Sequence, residues 1–178
     1  MKLIGKQIIL RPIKLSDAEH FVKWVSDPEV NKFTTRNKIT LKEELKWIKG
    51  MRKTKNTFIF AIDTKDGTHI GSAGIHDMNR KDKNAIFGIL IGDKKYWNKG
   101  YGTDATTVLL NYGFNKLKLH RIELFVYEYN PRAIKVYKRL GFKLEGIKRE
   151  QVFYKNKFYD VLNFGILDRE YKRGRFSR

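Results

Sequence analysis

Two hydrophobic periods divide the chain. Gln7-Ile8-Ile9-Leu10-Arg11 is a short apolar run with polar ends and predicts a first strand. Ser16-Asp17-Ala18-Glu19 has the spacing of a capping box, in which a hydroxyl and a carboxylate satisfy the first helical N–H groups, so a helix is expected from there to about Val25. Asp27-Pro28-Glu29-Val30 interrupts it and restarts a short turn. Thr40-Leu41-Lys42-Glu43 is a second capping box, opening a helix that places Leu41, Leu45 and Ile48 on one face.

The pattern then changes to strands. Phe58–Ile62 and His69–Ile75 are joined by the turn Lys65-Asp66-Gly67, and Asn84–Ile91 follows. Gly88 and Gly92 leave room for a bulge or for a bound molecule near the backbone. Val108, Leu109, Tyr112 and Leu117 suit an amphipathic helix, Arg121–Tyr127 a strand, and Pro131–Leu140 a helix capped by Gly141. Strands near 143–153 and 158–167 flank Lys155-Asn156-Lys157. The order predicts one mixed α/β domain spanning 1–178 around a single central sheet.

Composition narrows the class. A hydrophobic fraction of 41% supplies one ordinary core, and no apolar run is long enough to cross a bilayer. The first residues lack the apolar region of a signal peptide, so the simplest address is cytoplasmic. With no cysteine there is no disulfide, thiolate metal site or cysteine nucleophile, and His76 and His120 are not spaced as a metal pair. The net charge of +19 draws anions such as nucleotides, ribosomes or acidic proteins, and equally fits basic residues spread over solvated faces. Only the tail 169–178 concentrates them, either to touch nucleic acid or as a frayed end.

Trp97-Asn98-Lys99-Gly100-Tyr101-Gly102 lies between a strand and a helix. Glycines there let backbone N–H groups face a ligand, the helix N-terminus favours phosphate, and Lys94, Lys95 and Lys99 add charge. A tight turn that needs glycine for sterics explains the same residues. The order is wrong for a Walker loop, and Ala105 stands where a dinucleotide fingerprint has its third glycine.

With its neighbours the loop becomes specific. Tyr96–Ala105 resembles the acetyl-CoA loop of the GNAT superfamily, and more closely that of its RimJ/RimL-type branch, which includes ribosomal-protein alanine and spermidine N-acetyltransferases. Leu10-Arg11-Pro12 and Asp27–Val30 resemble that branch's opening, Gly88–Gly92 its cofactor strand, and His120–Leu124 with Asn130–Phe142 its second motif, so nearly the whole chain is covered. The chain departs by carrying Trp97 where the wider superfamily often has Gln or Arg, and Ile86 where the branch often has Glu.

The resemblance implies a GNAT fold with a mixed sheet of about six to seven strands and direct transfer of acetyl from acetyl-CoA to an amine. Ile89, Leu90 and Ile91 would bind the pantetheine arm through their backbone. Trp97, Asn98, Lys99, Gly100, Tyr101, Gly102 and Thr103 would hold the pyrophosphate, with Asn130, Ala133, Tyr137 and Arg139 contacting the rest of the cofactor. Tyr137 would give the departing thiolate a proton, though it also lies on the helix's apolar side, where packing alone would explain it. Asn130 doubles as an N-cap ahead of Pro131. The general base stays open among Glu123, Glu128, Glu150, Asp77, Asp160 and His76.

The acceptor is expected to be a protein or peptide N-terminal amine, because +19 repels a polycation. A polyamine, an aminoglycoside and an amino sugar remain alternatives. The branch often forms homodimers, and no residue pattern here specifies one. A reading from another class, a basic nucleic-acid module on a vestigial acetyltransferase fold, would use the tyrosines and phenylalanines as stacking platforms.

Overall fold

The computed structural model describes residues 1–34, 39–51 and 54–171. The elements are β1 (Leu3–Ile4), β2 (Ile8–Pro12), α1 (Ala18–Ser26), α2 (Pro28–Asn31), α3 (Leu41–Met51), β3 (Phe58–Thr64), β4 (His69–Asn79), β5 (Asn84–Ile91), α4 (Tyr101–Asn111), β6 (Arg121–Tyr127), α5 (Pro131–Arg139), β7 (Lys143–Tyr154) and β8 (Lys157–Leu167). One sheet of eight strands runs β1-β2-β3-β4-β5-β6-β8-β7, antiparallel throughout except between β5 and β6. The strand beyond the expected number is the two-residue β1, too short to show a period. Among the described residues no helix is long and apolar enough to cross a membrane.

Helices cover both faces. On one face α4 and α5 bury Leu109, Leu110 and Leu140 against Ile62, Ile75, Ile122 and Phe164. On the other, Phe21, Trp24 and Ile48 pack with Ile59 and Leu90. Each strand feeds both cores because alternate side chains point to opposite faces.

Local chemistry explains most element ends. Thr40 and Glu43 form the expected capping box: the Thr40 N–H donates to Glu43 at 2.8 Å and the Glu43 N–H to the Thr40 hydroxyl at 3.3 Å. Asp27 caps α2 by accepting from the Glu29 N–H. Gly141, at φ +95°, ends α5 as expected.

Several expectations need correction. The Ser16–Glu19 box does not form. A 3₁₀ turn, Leu15–Asp17, precedes α1, and the Asp17 carboxylate accepts from the Lys14 N–H at 2.7 Å and from both Arg11 terminal nitrogens at 2.8 Å. The turn therefore begins two residues before the expected cap, and half-buried Arg11 adds a tertiary contact to Asp17 that local spacing cannot reveal. Leu41 is exposed, so α3 turns Ile48 but not its first leucine inward. Gly92 serves packing rather than a ligand: a Cβ there would collide with the Trp24 indole. The helix after the glycine loop ends in a π turn, Tyr112–Lys116, which brings Gly113 so close to Ile122 that a Cβ would lie 2.7 Å from its Cδ1. The tail is docked as far as Tyr171, whose ring packs on Phe114 at 5.2 Å; its remainder, 172–178, lies outside the described residues.

Candidate active site

The site originates in one interrupted pairing. β5 and β6 pair in parallel only through Asn84–Ile86 and Arg121–Glu123, although both strands continue well beyond. Past Ile86 they diverge, and the sheet opens as a wedge whose walls are Phe87–Ile91 and Leu124–Tyr127. Open backbone on β5 gives an extended ligand an edge to join. A cleft of about 1170 Å³ occupies this wedge and continues to the start of α4.

The loop 97–100 closes the top of the wedge. Asn98 and Gly100 both sit at positive φ, +60° and +89°. Gly100 is required for its backbone, since a Cβ would be strained at this φ; the nearest atom to it, the Gln7 amide nitrogen at 2.9 Å, ends a flexible side chain that can move aside. Gly102 is different: its Cβ would make only an ordinary 3.7 Å contact with Ile91. The protein therefore does not require glycine there, and the open space faces the cleft that Gly102 lines. The first backbone bond of α4 is Asp104 N–H to Gly100 C=O at 3.0 Å, which leaves the Tyr101, Gly102 and Thr103 N–H groups without a helical partner. Arg139 reaches this turn from α5 and donates to the Thr103 hydroxyl at 2.7 Å. Free N–H groups, a helix N-terminus and a guanidinium meet at one point, as phosphate binding needs.

One loop expectation is revised, and Trp97 takes a further contact. Lys94 does not add free charge to the phosphate end, because Asp27 and Glu29 hold its ammonium at 2.8 and 2.6 Å. Trp97 donates its indole N–H to the Ile91 carbonyl at 2.7 Å, so it covers the end of β5. Arg132, not singled out in the sequence, stacks on Trp97 with its guanidinium carbon 4.0 Å from the ring centre.

Helix α5 aligns the remaining predicted residues. Asn130 is its N-cap, accepting from the Ala133 N–H at 3.3 Å. Asn130, Ala133, Tyr137 and Arg139 all line the cleft. The Tyr137 ring meets Phe87 edge-on at 6.3 Å and Phe142 at 5.8 Å, so packing and site exposure coexist in one residue. Burial pushes its phenol well above the usual tyrosine value and keeps it protonated. Ile89, Leu90, Ile91, Trp97, Asn98, Gly100, Gly102 and Thr103 line the cleft as well, whereas Lys99 and Tyr101 do not.

The base candidates separate clearly. Glu128 accepts from the Asp160 N–H at 2.9 Å, and Asp160 in turn from the Glu150 N–H at 2.8 Å, tying the residue after β6 to β8 and β7, and none of the three lines the cleft. Glu123 is paired with Arg121 at 2.8 Å. Only His76 of that group lines the cleft.

The far side of the cleft comes from distant segments: Phe33 and Thr34 after α2, Trp47 on α3, and Lys148, Gln151 and Val152 on β7. Tyr127 and Tyr129 donate to the Thr34 and Lys32 carbonyls at 3.3 and 2.8 Å, holding the segment after α2 against the end of β6. No sequence signal marks this wall, because each segment supplies only one to three ordinary residues. Among the described lining residues there are cations, Arg132, Lys135, Arg139 and Lys148, and no Asp or Glu.

A mixed sheet opened between two parallel strands, with N–H groups free of helical partners and Arg139 at the start of α4 and a buried phenol on the cleft, suits a domain that takes an extended, anionic donor. Residues 7–143 match the family model of the acetyltransferase (GNAT) domain. The chain belongs to the GNAT acetyltransferases and is an N-acetyltransferase that uses acetyl-CoA. It is 30% identical over 174 residues to the uncharacterized N-acetyltransferase p20 of Bacillus licheniformis, covering 95% of this chain and 97% of that one. To the spermidine N(1)-acetyltransferase of Escherichia coli it is 30% identical over 106 residues, 60% of this chain and 56% of the relative. The fold matches that of spermidine N-acetyltransferase from Vibrio cholerae, solved with CoA and spermine, at a TM-score of 0.87 and 23% identity, over 94% of this chain and 99% of that one.

Proposed function

We propose that the acceptor is the N-terminal amine of a protein or peptide, and that the chain works in the manner of the RimJ/RimL-type branch it resembles. The observation carrying this reading is the far wall of the cleft, where Lys148 is the one charged residue among the described lining residues and no carboxylate is present. A polyamine binds by pairing several ammonium groups with carboxylates, and a net charge of +19 adds long-range repulsion. A peptide brings one ammonium group. Its following residues meet Phe33, Trp47 and Phe125. The same field suits work beside acidic RNA or an acidic protein. Two similar proteins, from Escherichia coli and Vibrio cholerae, are spermidine N-acetyltransferases, which favours the polyamine alternative.

In this reading the donor's pyrophosphate sits on the Gly100–Thr103 turn with Lys99 and Arg139, flanked by Trp97, Asn98 and Tyr101. Its extended arm follows Ile89–Ile91 and passes Asn130 and Ala133. The donor supplies a thioester. The Tyr137 hydroxyl, kept neutral by burial, gives the departing sulfur its proton.

Thiol release from acetyl-CoA in the presence of Ala- and Ser-starting peptides, spermidine and an aminoglycoside tests the acceptor. The peptides should give kcat/KM values at least about tenfold above spermidine, a difference of about 1.4 kcal/mol. Spermidine turning over faster than every peptide would overturn the peptide reading.

A further inference from the structure

The geometry points to His76, oriented by Asp77, as the general base for the incoming amine. This rests on acetyl transfer itself and not on which amine is the acceptor. His76 lines the cleft from β4 and pairs across the sheet with Ile86, the last β5 residue joined to β6. It therefore stands where the wedge begins. A Cβ on Gly88 would find the His76 Nε2 as its nearest neighbour, at 3.7 Å, so that nitrogen overlooks a stretch of β5 that no side chain blocks. His76 and Gly88 belong to the face carrying Ile59 and Leu90, whereas Phe87, edge-on to Tyr137, belongs to the opposite face. Base and acid thus approach the wedge from opposite sides, as transfer from sulfur to nitrogen needs.

Asp77 fixes the tautomer. Its Oδ2 lies 2.9 Å from the His76 Nδ1, and because a carboxylate only accepts, the proton sits on Nδ1 and the Nε2 lone pair faces the cleft. The backbone is shaped for this contact. The β4–β5 register shifts between His76 and Asn79, and Asp77 adopts φ +52°, a conformation unusual for a residue with a side chain. The other charged groups near this end of the face are Glu123, already paired with Arg121; Lys148, over the Phe125 ring; and Lys55 and Arg80, in and bonded to the segment packed on the end of β4.

The proton balance is simple. The ammonium gives one proton to the His76 Nε2, and the neutral amine attacks the thioester carbon. The C–N bond forms and the C–S bond breaks. Tyr137 gives its proton to sulfur and recovers one from water, while the second nitrogen proton leaves to water. His76 then releases its proton, giving amide, thiol and one net proton.

The test uses whichever panel amine releases thiol fastest, so it stands whether that is a peptide or spermidine. His76→Gln should lower kcat/KM for the amine about 100-fold near neutral pH and leave the acetyl-CoA KM unchanged. The deficit should shrink as pH rises through the acceptor's own pKa, about 8 for a peptide α-amine and about 10 for an alkylamine such as those of spermidine, where the amine deprotonates unaided. Free imidazole should restore part of the activity of His76→Ala. Asp77→Asn, which keeps the side chain's size, should cost about tenfold or more by releasing the tautomer. A loss equal at every pH without imidazole rescue would make His76 structural, and activity within about threefold of the parent would remove it from the reaction.

Discussion

Tyr137 fills a core position and lines the reaction cleft with the same ring, so a substitution must separate the two roles. Tyr137→Phe keeps the contacts with Phe87 and Phe142 and removes only the hydroxyl. Turnover should fall about 10- to 100-fold, with the acetyl-CoA KM within about twofold and the melting temperature unchanged. Steady-state kinetics and a thermal melt check this, and unchanged turnover would leave Tyr137 with packing alone. At this scale the sequence was informative for residues with backbone duties. Gly100 requires positive φ, Asn130 caps a helix ahead of Pro131, and Gly141 ends one; each duty leaves its mark in local order. It was uninformative for Arg132, because stacking on Trp97 needs two elements brought together. It also misjudged Gly92 and Lys94, whose partners Trp24, Asp27 and Glu29 lie more than sixty residues away along the chain.

Between elements, one carboxylate couples the start of α4 to the edge of the sheet. Asp104, in the first turn of α4, accepts from the backbone N–H groups of Lys6, Gln7 and Ile8 at 3.1, 2.6 and 3.2 Å. Gly5 permits the approach, since a Cβ there would stand 2.6 Å from the Asp104 Oδ2. Asp104→Ala hands the exposed Lys6 and Gln7 N–H groups to water and leaves only the half-buried Ile8 N–H poorly matched, so it should cost about 1 kcal/mol, read as a lower urea midpoint. The acetyl-CoA KM should rise with it, because α4 carries the Gly102 and Thr103 N–H groups; an unchanged midpoint would show the contact to be dispensable. Strand and helix positions were largely legible: β5 and β6 fall where their apolar runs predict, and the Thr40–Glu43 box forms as expected. The Ser16–Glu19 box is absent because the first turn starts earlier, with Lys14 as its N-cap and the Asp17 carboxylate accepting from the Lys14 N–H, so Ser16 already lies inside the turn.

Across the whole molecule, the ionic network behind the site sets its acid tolerance. Arg11 on β2 binds Asp17 and, at 2.6 Å, Asp63 on β3, with His69 of β4 against Asp17. Burial holds His69 below the ordinary histidine value despite Asp17, so the unfolded chain binds protons that the folded one refuses. Stability should therefore begin to fall as pH drops below about 6.5, the unfolded value. Burial alone would raise the Asp17 carboxyl, but hydrogen bonds from Arg11 and the Lys14 N–H outweigh it and lower the value. Its contribution is present above about pH 3.9 and is lost as pH falls through the lower folded value. Denaturant midpoints across this range should show both steps, and His69→Gln should remove the upper one; a midpoint flat from about pH 7 to pH 5 would contradict it. What the sequence determined by itself was whatever is local or periodic: the strands and helices, the glycine turn, the caps, and through the ordered run of motifs the family and the acetyl donor. The tertiary structure alone decided where β5 leaves β6, which side chains then face the gap, and that His76 stands there with Asp77 while the other candidate carboxylates tie up backbone or ion pairs. The reason is physical: acidity and access depend on neighbours assembled from distant segments, whereas a turn or a period needs only adjacent residues.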